Sequence, residues 1–232
     1  YWENGRTEKS LSCYKEAYRN YEMEQNKIGM TNTLRNIGKS MHGLEKLDSA
    51  YFYLSKAIQL AEQGQIDSQM THLLSSIGSV CAEKGEYEKA LTYNKASLSY
   101  PMRKNMLCAR YFAIGRLYQN LQKTDSALLY AEKALMGTDL YIECSANRLL
   151  YTIYVKEQDY KKACTYNERY LLLRDSIEQV YRPQKLAKVE ALYNKERLVG
   201  KQKQQMHEAR SRQDFLLICF LCACLAIGIV YV

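Results

Sequence analysis

Proline and glycine are scarce, with 2 and 11 in 232 residues. That leaves too few punctuating residues for the many short turns of a sandwich, a barrel or a doubly wound sheet, and it favours an all-α chain. Histidine occurs only as His42, His72 and His207, never in an H-E-x-x-H arrangement. There is no phosphate-binding loop, dinucleotide fingerprint or nucleophile elbow, and no acidic pair is singled out by its spacing. The chain reads as non-enzymatic, without a cofactor and without a metal site. Excess charge is also missing from most of it. Of the net +8, +5 falls in residues 181–214, where nine Lys/Arg stand against four acids. Residues 1–180 are close to neutral, so direct nucleic-acid binding has little electrostatic support.

The eight cysteines form no framework. Cys219, Cys222 and Cys224 fall in an apolar run, and Cys13, Cys81, Cys108, Cys144 and Cys164 are scattered. They read as small buried hydrophobes, and an odd scattered number mildly favours a reducing setting or burial.

The chain does hold a repeat. Leu34-x-x-Ile37-Gly38-x-x-Met41 returns as Leu74-x-x-Ile77-Gly78-x-x-Cys81 and as Tyr111-x-x-Ile114-Gly115-x-x-Tyr118. A looser copy is Asn147-x-x-Leu150-Tyr151-x-x-Tyr154. Ala50, Ala90, Ala127 and Ala163 follow at one offset, then Ala57, Ser97, Ala134 and Tyr170 at a second. A mid-helix glycine costs about 1 kcal/mol relative to alanine, which makes sense where a second helix crosses too closely for a side chain. Each unit is therefore expected to be a pair of antiparallel helices, the alanines accepting the approach. Gly85 has the character of a helix-ending glycine. Gly5, Ser10 and Ala17 align with Gly85, Ala90 and Ser97 as an opening half-unit. The connections Gly64–Ser68 and Tyr100–Lys104, the latter around Pro101, look long and predict irregular stacking.

This pattern resembles the tetratricopeptide repeat, with Leu-Gly in its first helix and alanines in its second. The resemblance implies an all-α solenoid over residues 1–180: a half repeat at 1–27, then full repeats at about 31–64, 71–104, 108–141 and 144–176. It also implies non-enzymatic binding of a protein or peptide on the first-helix face. On that register the ligand groove takes Asn32, Arg35, Lys39 and His42, then His72 and Ser75, then Arg116 and Asn120, then Arg148 and Lys156. Five cations there (Arg35, Lys39, Arg116, Arg148, Lys156) meet one acid, Glu83, which points to an acidic peptide or a C-terminal carboxylate. The carboxylate-clamp subset is not reproduced, because Ser76 and Ala113 stand where it needs polar amide or basic groups.

Beyond the repeats, Pro183 is expected to break the chain or to start a new helix. Residues 184–214 space Leu192, Val199 and Met206 by seven, which fits either a homodimeric coiled coil or a solvated connecting helix. Residues 215–232 hold no charge in 18 positions and, at about 1.5 Å per residue, reach nearly across a hydrocarbon core of about 30 Å. They read as a transmembrane helix, with Lys201, Lys203, Arg210 and Arg212 as candidate lipid-headgroup contacts. The order of repeats, basic helix and single span resembles the membrane-anchored repeat regulators of Bacteroidetes-type bacteria. That resemblance implies a signalling or transcription-regulating protein in the inner membrane, its repeats periplasmic. The alternative is a tail-anchored scaffold with cytoplasmic repeats.

Overall fold

In the computed structural model the backbone is described for residues 2–230, and side chains for residues 9–184, 186–187, 189–207, 210 and 212. Two units divide it, Tyr1–Asp175 and Ser176–Val232. Among the described residues the elements are all helices: α1 (Trp2–Met23), α2 (Lys27–Gly43), α3 (Leu47–Gln63), α4 (Asp67–Glu83), α5 (Tyr87–Ser97), α6 (Lys104–Asn120), α7 (Thr124–Ala134), α8 (Leu140–Lys156) and α9 (Tyr160–Val230). In the first unit each helix packs on the next, α2 on α3, α4 on α5 and α6 on α7 most extensively. The first helices of adjacent pairs also meet, α2 with α4 and α6 with α8.

The turns are built on one plan. Gln25, Glu45, Gln65, Gly85, Gln122 and Gln158 all have positive φ, between 53° and 78°. At each, the next residue donates its amide to the carbonyl five back, as in Asn26→Tyr21 at 2.9 Å, Lys46→Met41 at 3.0 Å and Glu86→Cys81 at 2.9 Å. This is the Schellman closure, which satisfies the carbonyls a helix end leaves orphaned. Three-residue turns follow, so Gly64–Ser68 is not a long connection. Gly64 ends α3, Gln65 reverses the chain, and the Ile66 amide closes on the Ala61 carbonyl at 2.9 Å. Pro101 does sit in an extended link between α5 and α6. The Asp139 side chain caps α8, accepting the amides of Tyr141 and Ile142 at 2.9 and 3.2 Å.

The repeat glycines mark the crossings. A Cβ on Gly115 would lie 3.1 Å from the Ala131 amide nitrogen and 3.3 Å from the Ala127 carbonyl oxygen. On Gly38 it would meet Leu54 Cγ at 2.7 Å, and on Gly78 Asn94 Nδ2 at 2.5 Å. Ala50, Ala90, Ala127 and Ala163 are all buried, as are Ala57, Ser97 and Ala134. The core around them is Leu54, Leu73, Ile77, Ile114 and Leu150, with Tyr154 stacked on Tyr166 at 5.5 Å between ring centroids.

Two further expectations change. Pro183 neither breaks nor starts a helix, because α9 runs through it. The proline removes one amide donor and frees the Gln179 carbonyl, and Gln179 is exposed, so water satisfies it. Cys81 and Cys108 are buried, but Cys13 and Cys164 lie on exposed faces of α1 and α9.

The Gly115 crossing is backbone against backbone, so neither partner can swing aside. Gly115→Val is expected to lower unfolding free energy by about 1–3 kcal/mol. Gly43 has nothing within 4 Å of an added Cβ, and Gly43→Ala should be neutral or stabilising by up to about 1 kcal/mol. Urea unfolding of the two variants checks this, and equal midpoints would refute the close-crossing account.

Candidate functional site

Once α2, α4, α6 and α8 have buried one stripe against their partner helices, their remaining faces lie side by side. Arg35, half-buried on α2, donates Nη1 to Gln69 Oε1 on α4 at 2.9 Å. One turn on, Lys39 is exposed. His42, in the last turn of α2, places Nε2 2.8 Å from Glu83 Oε1 at the end of α4. His72 is solvent-exposed on α4, and partial burial followed by the charges of Arg35, Arg110 and Lys39 holds its imidazole below the usual range. Ser75, half-buried, accepts the Ser79 hydroxyl on its carbonyl at 3.1 Å, and Asn32 is half-buried on α2.

Farther along, Arg116 and Arg148 line one cavity of about 440 Å³ between α6 and α8, with Phe112, Gln119, Ser145 and Thr152. The Arg116 guanidinium lies 5.9 Å from the Phe112 ring centroid, over its face. Arg116 and Asn120 also reach a cavity of about 300 Å³ among α4, α5 and α6, whose lining includes Gly78, Asn94 and Glu83. Lys156 is separate, in a third cavity with Gln119, Gln122, Thr124 and Glu157. The ten groove residues thus fall into an α2–α4 group, an α6–α8 group and the detached Lys156. Among the described residues none of Arg35, Lys39, Arg116, Arg148 and Lys156 enters an ion pair, while Glu83 faces His42.

The groove register passed over Arg110, Asn94 and Gln69. Arg110 follows the groove position Ala109 and occupies a slot that other repeats fill with Thr33, Leu73 and Ala146, all buried. A cation in a core slot was the available signal. Its Nη1 donates to Asn94 Oδ1 at 3.4 Å, its Nε is buried without a partner, and desolvation holds it below the usual arginine range.

In the second unit Lys201, Lys203, Arg210 and Arg212 are exposed. The apolar residues 215–232 lie outside the residues whose side chains are described. Among the described residues no helix is long and apolar enough to cross a membrane, and no group of three or more His, Cys, Asp or Glu is placed to hold a metal ion.

The family model described as "Tetratricopeptide repeat" matches residues 109–136, one helix pair comprising most of α6 and all of α7. No curated relative matches the chain by sequence. Among solved structures, BtubC (BKLC) from P. vanneervenii is similar at 17% identity over 76% of each chain, with a TM-score of 0.70. MamA is similar at 16% identity over 75% of this chain and 92% of its own, with a TM-score of 0.60. A putative kinesin light chain of Podosopora anserina, with nearly identical TPR-like repeats, is similar at 10% identity over 77% and 92%, with a TM-score of 0.61. At these identities the likeness is one of fold: the described residues of the first unit adopt an all-helical, tetratricopeptide-like solenoid.

Asn94 is the hinge of this geometry. It fills the space over Gly78, donates Nδ2 to the Ala90 carbonyl at 2.8 Å and is the neutral partner of Arg110. Asn94→Ala leaves a half-buried guanidinium unpartnered and is expected to destabilise the unit by about 1–3 kcal/mol. Thermal and urea unfolding measure the loss, and an unchanged midpoint would show that Asn94 supports nothing.

Proposed function

We propose that the first unit is a protein-binding module that holds an acidic peptide segment along the face shared by α2, α4, α6 and α8. The observation that carries this reading is the cavity holding Arg116 and Arg148 beside Phe112, with no carboxylate in its lining. Two guanidiniums with an aromatic floor suit a carboxylate-bearing side chain: the forks donate to its oxygens and the ring covers its stem. The solenoid fold supports the reading too, since successive helix pairs present one long surface to an extended partner. Among the described residues no constellation of nucleophile, base and orienting group supports catalysis.

We further propose that residues 215–232 tether this module to a bilayer, making it the sensory part of a membrane-anchored regulator. The support is the uncharged run itself and its place after the basic helix. The rival is a tail-anchored scaffold with cytoplasmic repeats. An epitope before Gly5, probed on intact cells with a membrane-impermeant protease, separates them: cleavage from outside fits the sensor, and protection fits the scaffold.

Binding itself is tested by fluorescence anisotropy with a glutamate-rich decapeptide and its glutamine counterpart. The acidic peptide should bind more tightly, and more weakly as salt rises. Arg116→Glu with Arg148→Glu should weaken it about tenfold or more, leaving circular dichroism and the melting temperature unchanged because both side chains are exposed. Equal affinity for the two peptides would refute the reading.

A further inference from the structure

The cavity between α6 and α8 is rich in hydrogen-bond donors. Its polar lining is Arg116, Arg148, Gln119, Ser145 and Thr152, with Phe112 beside them and no Asp or Glu. The fold leaves most of this capacity unused. Among the described residues neither Arg116 nor Arg148 enters an ion pair. The Gln119 amide and the Ser145 hydroxyl have no hydrogen-bond partner among them either. Thr152 alone is committed, its hydroxyl donating to the Arg148 carbonyl at 2.8 Å.

The two guanidiniums come to this cavity from adjacent first helices. Arg116 on α6 lies over the Phe112 ring, 5.9 Å from its centroid, and the ring restricts how far it can swing. It also lines the neighbouring cavity among α4, α5 and α6, which holds the Glu83 carboxylate. Glu83 does not capture it: Oε1 of that residue lies 2.8 Å from His42 Nε2, and no ion pair joins it to Arg116. Arg148 is exposed on α8 and completes the cavity from the other side.

A single carboxylate uses only part of this set. It has two oxygens and one charge, and one guanidinium fork takes both oxygens. The second guanidinium, the Gln119 amide and the Ser145 hydroxyl would then keep only water. A phosphomonoester brings about −1.5 to −2 of charge and three acceptor oxygens, enough for both guanidiniums and a neutral donor besides.

We propose that this cavity receives a phosphorylated side chain of the peptide ligand. Arg116 and Arg148 hold the phosphomonoester, Gln119 and Ser145 add neutral donors, and Phe112 lies against the stem. The proposal rests on the peptide-binding reading and narrows it: a glutamate at this point of the ligand is a weaker mimic of the phosphorylated residue.

The test is fluorescence anisotropy on the full chain with three decapeptides that differ at one central residue. That residue is phosphoserine, glutamate or serine, and the rest of each peptide is uncharged. The phosphoserine peptide is expected to bind about tenfold or more tighter than the glutamate peptide, with serine the weakest. Arg116→Lys and Arg148→Lys keep the charge but remove the fork, so each should erase most of the preference for phosphoserine. Lys161→Gln, which changes an exposed cation on α9 outside both cavities, should leave the preference intact. Both arginines are exposed, so the lysine variants should melt like the parent. A phosphoserine peptide that binds no tighter than the glutamate peptide overturns the proposal, as does a preference that survives both lysine substitutions. Inorganic phosphate that displaces the phosphopeptide at equal concentration also overturns it, because the site would then take a free anion. If phosphoserine gains nothing while the glutamate-rich decapeptide still outbinds its glutamine counterpart, the phosphate site falls and the acidic-segment reading stands. If phosphoserine is preferred while the glutamate-rich and glutamine peptides bind alike, the acidic-segment reading falls and the phosphate site stands.

Discussion

The first unit depends on how closely the two helices of a pair can approach. At Gly115 the backbones of α6 and α7 are near enough that a single added carbon would sit 3.1 Å from a backbone nitrogen. Such a crossing fixes the angle and rotation of both helices, because no side chain separates them. It also fixes which stripe of each first helix is spent on the partner and which is left over. Each crossing glycine costs about 1 kcal/mol of helix propensity. Burial of the surrounding alanines, leucines and isoleucines offsets that cost. The turns add to the constraint: with only three residues between most helices, the chain must reverse through a left-handed residue and close the Schellman bond at once.

The candidate site follows from what the crossings leave behind. A first helix is committed on its partner side and free on the other, so α2, α4, α6 and α8 offer one neighbouring face each. The cations there are not the result of a basic chain, since residues 1–180 are nearly neutral. Acids are elsewhere: Asp48 and Glu86 pair with Lys84, Glu143 with Arg169 and Asp159 with Lys162. The second and third repeats go further, replacing apolar core residues by Asn94 and Arg110. Asn147 likewise stands in the slot of the buried Leu34 and Leu74, so polar groups in core slots recur along the repeats, and departures of this kind concentrate at functional sites.

The helix pairs were legible because glycine and alanine at fixed offsets have one economical explanation, a close crossing. The turns were not. Five of the six left-handed positions carry Gln or Glu, residues with no preference for that conformation, so only Gly85 announced itself. For the same reason Gly64–Ser68 looked like a long connection: the glycine that drew attention merely ends α3, and Gln65 makes the reversal. Pro183 misled in the opposite direction, since a proline on an exposed stretch of helix costs a hydrogen bond that water can replace. The groove register placed Arg116 and Arg148 on one cavity wall but skipped Arg110 by one residue. A face assigned from the mean pattern of a repeat overlooks the position that departs from it.

The one acid on this face sharpens the electrostatic argument. Glu83 sits at the C-terminal end of α4, where the helix dipole disfavours negative charge. His42 occupies the last turn of α2, and its Nε2 lies 2.8 Å from Glu83 Oε1 between α2 and α4. Glu83 also lines the cavity among α4, α5 and α6 that Arg116 and Asn94, the partner of Arg110, reach. His72 stands about three turns nearer the start of its helix, where partial burial first, and then the charges of Arg35, Arg110 and Lys39, hold its imidazole below the usual range. Two histidines of one repeat surface therefore sit in different surroundings: a carboxylate of the fold stands beside His42, whereas among the described residues His72 enters no ion pair.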